Sequence, residues 1–330
     1  MRSKTGLILL LLIFFFSDIR SSIAQQPSQC QAVITGMTGD VLIKQANKNE
    51  FVKAYWGTQL FQGDKIKTAA NSEATLTLSN SSIIKLGSGS DLTISGDMSL
   101  STESSGNVKK ISSAMMINIS ALTSKREPRK ETGALAGLRG YEVEQLIEPI
   151  TPYNTLIKSN RPSFSWITKK SFDNCIVNLY GSKGLVWSKK TSDTSLKYPE
   201  NEKELAFGES YFWNVEGEDL IDNKKSVNRK FSVLSPEKSK EVEEQESIIK
   251  NTFRDESESS SLHSVLGAYY INQGLLQDAI NEFQIISNIN ADAPLPHEIL
   301  GSLYSDVGNK DKAIEELQKA LALAKNNKDK

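Results

Sequence analysis

The chain has 330 residues, with 39 basic and 40 acidic side chains that leave a formal net charge of −1. So even a balance excludes a general nucleic-acid binder, which needs a basic footprint to neutralise phosphates. With only two histidines and two cysteines, zinc sites and histidine-based catalysis are short of parts, and the length points to two or three domains.

The first segment addresses the protein. Arg2 and Lys4 precede an apolar run over residues 7–16, followed by Ser22-Ile23-Ala24 ahead of Gln25. A basic start, a short apolar stretch and small residues before a cut are the layout of a secretory signal peptide. The run is about half the length that a membrane-spanning helix needs, roughly 20 residues. Residues 1–24 are therefore expected to be a signal peptide cleaved near Ala24. The mature chain is expected in the periplasm or cell envelope, without a transmembrane span. Export brings oxidising conditions, and Cys30 and Cys175 are the only thiols. Cys175 shares a strand face with Val177 and Leu179, which reads as a buried thiol, and pairing with Cys30 is left open.

Residues 31–105 alternate Thr and Ser with Ile, Leu and Ala, as in Ala74, Leu76 and Leu78, and Gly57, Gly63-Asp64, Asn71 and Asn80-Ser81-Ser82 punctuate them as turns. Short strands at this spacing predict a small all-β domain. The order Gly39-Asp40-Val41, Gly57-x-x-Leu60-x-x-Gly63-Asp64-x-Ile66-x-Thr68, Ala74-x-Leu76-x-Leu78 and Ile83-x-Lys85-Leu86 resembles the FecR-like domain, and Ala136-Gly137-Leu138-Arg139-Gly140 resembles its closing segment. Asn80-Ser81-Ser82 stands where that family tends to carry Asp-Gly. The resemblance implies a module that binds an envelope protein or polymer.

Over residues 106–145, Val108, Ile111, Met115, Ile119 and Leu122 recur at helical spacing and predict a basic amphipathic helix and linker, ended by Pro128. Between residues 109 and 130 six bases face one acid, Glu127. A patch for an anionic surface is one reading, and a solvated linker is the favoured one.

Residues 146–235 carry aromatics at strand positions: Phe164-Ser165-Trp166, Leu185-Val186-Trp187 and Tyr211-Phe212-Trp213-Asn214-Val215. Six short strands at about ten-residue spacing predict a β-sandwich and resemble fibronectin type III or immunoglobulin-like modules. The aromatics are expected to fill its core rather than form a sugar-stacking platform. Residues 236–261 hold eight acids and four bases and read as an acidic linker, with a helix around Ile248, Ile249 and Phe253.

Residues 262–325 repeat themselves at a shift of 34. Leu266, Gly267, Tyr270, Gly274, Ala279 and Ile280 fall on Leu300, Gly301, Tyr304, Gly308, Ala313 and Ile314, while Phe283 falls on Leu317. Two copies of Leu-Gly-x-x-Tyr, then Gly-x-x-x-x-Ala-Ile-x-x-Phe/Leu, resemble the tetratricopeptide repeat. Gly267, Gly301, Ala279 and Ala313 are small where paired helices approach. Gly274 and Gly308 suit a left-handed helix end, and Tyr270, Tyr304, Phe283 and Leu317 fill the space between helices. His263 and His297 keep the same 34-residue register, and repeat stacking places them about 10 Å apart, too far to share a metal. The resemblance implies a concave groove for a protein partner, lined by Ser264, Ala268, Asn272, Glu298, Ser302 and Asp306. None is basic, which disfavours a clamp for a carboxylate terminus.

No dinucleotide fingerprint, phosphate loop or nucleophile elbow occurs; Gly87-Ser88-Gly89 lacks the third glycine, and Asp64 and Asp91 read as turn residues. The expected fold class is multidomain β plus α, comprising the β domain, the sandwich and C-terminal helical hairpins. The expected function is a non-enzymatic envelope scaffold, without metal or cofactor, that binds protein through its repeats. The alternative is a FecR-type regulator linked to transport sensing, which would need a span and a cytoplasmic segment before the β domain.

Overall fold

The computed structural model describes residues 29–96, 104–111, 118–123, 146–218 and 224–327. The signal segment, the Ala136–Gly140 motif and most of the basic stretch lie outside these residues. Among the described residues no helix is long and apolar enough to cross a membrane. The molecule is β plus α, with two β modules followed by helices.

The first module contains β1 (Ala32–Thr38), β2 (Val41–Lys44), β3 (Val52–Lys53), β4 (Gln59–Leu60), β5 (Lys65–Thr68), β6 (Glu73–Leu78), β7 (Ile83–Leu86), β8 (Asp91–Thr93) and β9 (Val108–Ile111). They form two antiparallel sheets, ordered β4-β1-β6-β7-β9 and β3-β2-β5-β8. Period-two alternation sends Ala74, Leu76 and Leu78 of β6 into a core with Ile34, Val41, Ile66 and Leu92. The opposite face of the five-stranded sheet is also covered: Val33 and Ile83 join the helical core, and Thr35 and Thr77 are fully buried. At the β6–β7 turn Ser81 takes φ 66°, and Asn80 Oδ1 accepts from Ser82 N at 3.0 Å. Asp64 is a turn stitch: its carboxylate accepts from Ala46 N and Phe61 N, both at 2.9 Å.

Two expectations change here. Val108 and Ile111 open a strand, not a helix: β9 pairs with β7, Ile83 opposite Ile111 and Leu86 opposite Val108. A spacing of three fits a helix, but the free edge of β7 offers these residues a ladder of hydrogen bonds, and tertiary pairing overrides the local pattern. The β module therefore extends past residue 105. Among the described residues of this stretch, helix appears at α1 (Ser120–Thr123), where Ile119, Ala121 and Leu122 join the helical core.

The second module is a sandwich of β10 (Ile147–Thr151), β11 (Leu156–Ile157), β12 (Ser163–Thr168), β13 (Asn174–Gly181), β14 (Gly184–Thr191), β15 (Ser195–Lys197), β16 (Ser210–Glu218), β17 (Lys224–Lys225) and β18 (Arg229–Val233). One sheet is β10-β12-β15; the other is β11-β18-β16-β13-β14, with β17 on β16. Phe164 sits at the centre, its ring 5.0 Å from Trp213, 6.0 Å from Trp187 and 6.2 Å from Phe231. The aromatics are core. Tyr211 lies at the start of β16, directly after Ser210, and its hydroxyl accepts from Ala206 N at 2.8 Å, tying the incoming loop to the strand. Cys175 lies in this core while Cys30 packs against the helices, and both thiols are free.

The helices are α2 (Pro236–Thr252), α3 (Ser260–Gln273), α4 (Leu276–Ile289), α5 (Pro294–Asp306) and α6 (Lys310–Asn326). The segment read as an acidic linker is mostly α2. Ser235 caps it by accepting from Lys238 N at 3.2 Å, and Pro236 occupies the first turn. Val242, Gln245 and Ile249 share one buried face, so a mostly charged sequence still carries enough apolar contact to dock. Every residue of α3 from Ser260 to Ile271 is buried, because β1, α1, α2 and α4 all pack around it.

Candidate functional site

The paired helices build the candidate site. A Cβ on Gly267 would lie 2.8 Å from Phe283 Cε2, and one on Gly301 would lie 2.6 Å from Leu317 Cγ, so each hairpin closes over a glycine. Leu266, Ala279, Leu300 and Ala313 are buried at the same crossings. Gly274 and Gly308 end α3 and the α5 hairpin turn at φ 75° and 71°, where a side chain would be strained. His263 Nδ1 meets Glu282 Oε2 at 2.6 Å, and His297 Nδ1 meets Glu316 Oε2 at 2.6 Å. Each histidine therefore staples its own hairpin, and among the described residues no His, Cys, Asp and Glu group of three could hold a metal. The tyrosines diverge: Tyr270 donates to Glu246 Oε1 of α2 at 2.9 Å, while Tyr304 Oη accepts from Gln284 Nε2 of α4 at 2.8 Å.

The six groove positions divide by what covers them. Ser264 and Ala268 are fully buried. The indole Nε1 of Trp56, from the first β module, donates to Ser264 Oγ at 3.0 Å and to Thr35 O at 2.9 Å. Ser264 Oγ in turn donates to Thr35 O at 3.1 Å, and the Trp56 ring meets Phe283 edge-on at 6.4 Å. A Cβ on Gly36 of β1 would come within 2.0 Å of Ser261 Oγ, so only glycine lets the sheet approach α3 this closely. At the other end Asp306 is buried, and its carbonyl accepts from Asn154 Nδ2 at 3.0 Å. Asn272 and Glu298 remain exposed and Ser302 partly so. The chain's own β modules thus engage Ser264 and Asp306, while Asn272, Glu298 and Ser302 keep access to solvent.

The sandwich reads both hairpin turns with one segment. Leu156 N and Thr155 Oγ1 donate to Gly274 O at 3.0 and 3.2 Å, and Leu276 N donates to Thr155 Oγ1 at 2.9 Å. Tyr153 closes on Gly308, where a Cβ would lie 2.4 Å from its ring. Beside these contacts runs a polar cleft of about 270 Å³ lined by Asn154, Lys230, Asn272 and Gln273.

Lys158 completes the joint. Its ammonium lies 2.9 Å from Glu246 Oε1 and 2.9 Å from Asp278 Oδ1, and 4.7 Å from the centre of the Tyr270 ring. Burial pushes the Asp278 carboxyl up, with Lys158 opposing. Burial also acts on Glu246, but the hydrogen bonds from Lys158 and Tyr270 outweigh it and hold that carboxyl below the usual range. Burial works against the Lys158 ammonium as well, yet Asp278 and Glu246 together keep it above an ordinary lysine. Burial, with Glu241 and Glu246 adding to it, pushes the Tyr269 phenol up to about 12.

Sequence reading places the repeat residues but misses their partners. Trp56, Thr35, Asn154, Thr155 and Lys158 lie far away in the chain, and a lone tryptophan beside a glycine turn is the only local hint among them.

No protein-family model matches the chain, and no curated protein matches it. Among solved structures it is similar to the FN1–FN3 domains of chicken CNTN1, at 11% identity and a TM-score of 0.21 over 61% of this chain and 56% of that one. It is also similar to dimeric latent PorU from Porphyromonas gingivalis, at 11% identity and a TM-score of 0.23 over 61% of this chain and 17% of that one.

Proposed function

We propose that the protein is an exported, non-enzymatic scaffold of the cell envelope, with a FecR-like domain, a fibronectin type III/immunoglobulin-like module and two tetratricopeptide repeats. The repeats act first within the chain, setting the two β modules at fixed positions. An envelope protein then binds the open groove positions Asn272, Glu298 and Ser302, and the FecR-like domain contacts an envelope component. The observation that carries this reading is the buried Trp56–Ser264–Thr35 network, which commits one end of the groove to internal use. Closed-off polar atoms of this kind hold a single arrangement, since each lost partner leaves a buried group unsatisfied.

Photo-crosslinkers installed singly at Ser302, Asn272 and Ser264 in the native envelope test it. Adducts with envelope proteins are expected from Ser302 and Asn272, with only internal crosslinks from Ser264. Partner adducts from Ser264 alone, or fractionation of the chain with cytosol, would refute the proposal.

A further inference from the structure

The last helix leaves open an apolar stripe whose equivalent in the first hairpin is covered. In α6, Ile314, Leu317 and Leu321 follow at i, i+3 and i+7, one face of a helix, and they are 56%, 48% and 57% exposed. Ala324 continues the line. The counterparts of Ile314 and Leu317 in α4, Ile280 and Phe283, are 1% and 0% exposed, since α5 packs on α4 and Trp56 meets Phe283. Among the described residues no helix follows α6 to do the same.

The spacing names the kind of cover. Ile314, Leu317, Leu321 and Ala324 occupy successive a and d positions of a heptad pattern, the seam of a helix pair. Asp311, Gln318 and Lys325 recur every seven residues along one flank of that seam, an acid, an amide and a base. Among the described residues neither Asp311 nor Lys325 is in an ion pair. In an antiparallel pair, equivalent flanks face each other. A two-fold axis at Gln318 then sets Asp311 of each copy opposite Lys325 of the other, at both ends. A parallel pair would instead turn this flank toward the partner's Ala313 and Ala320, which carry no charge to answer Lys325.

We propose that α6 is a self-association surface, on which two copies of this chain pair their α6 helices antiparallel about Gln318. Leu317 and Leu321 of one copy interleave with those of the other, and the interface closes at two because the same patch serves both sides. Near Ala324 the seam opens into a cleft of about 280 Å³, bordered by Tyr55, Thr58 and Leu295, which leaves room for the first turn of the partner's helix. One seam of three turns is small beside the roughly 800 Å² per partner of a standard interface, so the dimer is reversible and concentration-dependent.

Sedimentation velocity of the full chain over a concentration series tests the proposal. The unaltered protein is expected to pass from monomer to dimer. Leu321→Glu should raise the dissociation constant by more than about tenfold while leaving the circular-dichroism melt unchanged. Asp311→Lys and Lys325→Asp should each weaken the dimer alone, and the two variants mixed in equal amounts should recover it, because each lysine then meets an aspartate. A chain that stays monomeric, charge variants that dimerise like the parent, or a mixture that fails to recover would overturn it. So would a monomer whose stripe is covered by another protein's helix.

Discussion

The two helical hairpins share a 34-residue register, a glycine at each crossing and a His–Glu staple, but not their surroundings. The first is enclosed: Phe283 is fully buried against Trp56, Ser264 is hydrogen-bonded into β1, and the α3–α4 turn is held by Thr155. In the second, Leu317 is 48% exposed. Repeat identity therefore sets how each helix pair closes, while what each pair touches is decided by residues elsewhere in the chain. A repeat unit cannot bury its apolar face alone and relies on neighbours. Here the β modules serve as the first hairpin's neighbours.

This contrast can be broken by experiment, most severely at Phe283. Phe283→Ala empties a fully packed position and should cost about 3–5 kcal/mol, whereas Leu317→Ala should cost no more than about 1.5 kcal/mol, since half of that side chain is already in water. Denaturant unfolding followed by circular dichroism compares them, and equal losses would erase the distinction.

Lys158→Met tests the joint that encloses the first hairpin. Without the ammonium, Asp278 loses its ion pair and Glu246 keeps only Tyr270 and the more distant Lys250, at a cost of about 1–3 kcal/mol near neutral pH. Glu246 is held below the usual carboxylate range, so its contribution is present above the unfolded value and fades as acid protonates it. Lys158 is held above an ordinary lysine, so its contribution fades only at strongly alkaline pH. The raised Asp278 acts in the opposite sense to Glu246, adding stability in acid and losing it as pH rises. The gap between variant and parent should therefore be widest around neutrality and narrow below about pH 4. A gap independent of pH between 3 and 7, on melts at roughly unit intervals, would mean that the carboxylates are not coupled to Lys158.

The smallest contrast is between the glycines. Gly267→Ala drives a methyl into the locked Phe283 ring and should cost about 1–3 kcal/mol. Gly301→Ala meets Leu317, which has open space to turn into, and a gain in helix propensity of about 1 kcal/mol offsets the strain. Thermal melts of the two variants should differ clearly, and identical shifts would mean that the second hairpin is as confined as the first.

What the sequence discloses follows from the range over which each signal acts. The repeat is legible because Gly267, Tyr270, Gly274 and Phe283 lie within one supersecondary unit, and the sandwich because Trp166, Tyr211 and Trp213 alternate along strands. Val108 and Ile111 mislead because a spacing of three is compatible with a helix, while the free edge of β7 that recruits them is fixed elsewhere. Acidic α2 hides its docking face in three residues, Val242, Gln245 and Ile249. The groove is legible as a set of positions, but not as an occupied one. Trp56 and Ser264 are 208 residues apart, and nothing local in either marks the other.

The Thr35–Ser264 contact spans 229 residues, and this separation orders events during synthesis. The five-stranded sheet can assemble early from neighbouring strands, yet the face bearing Val33, Thr35 and Ile83 stays bare until α3 is made, long after the sandwich. Contacts of such sequence separation form slowly, and a nascent chain halted before residue 260 would display that uncovered face to any chaperone waiting for it.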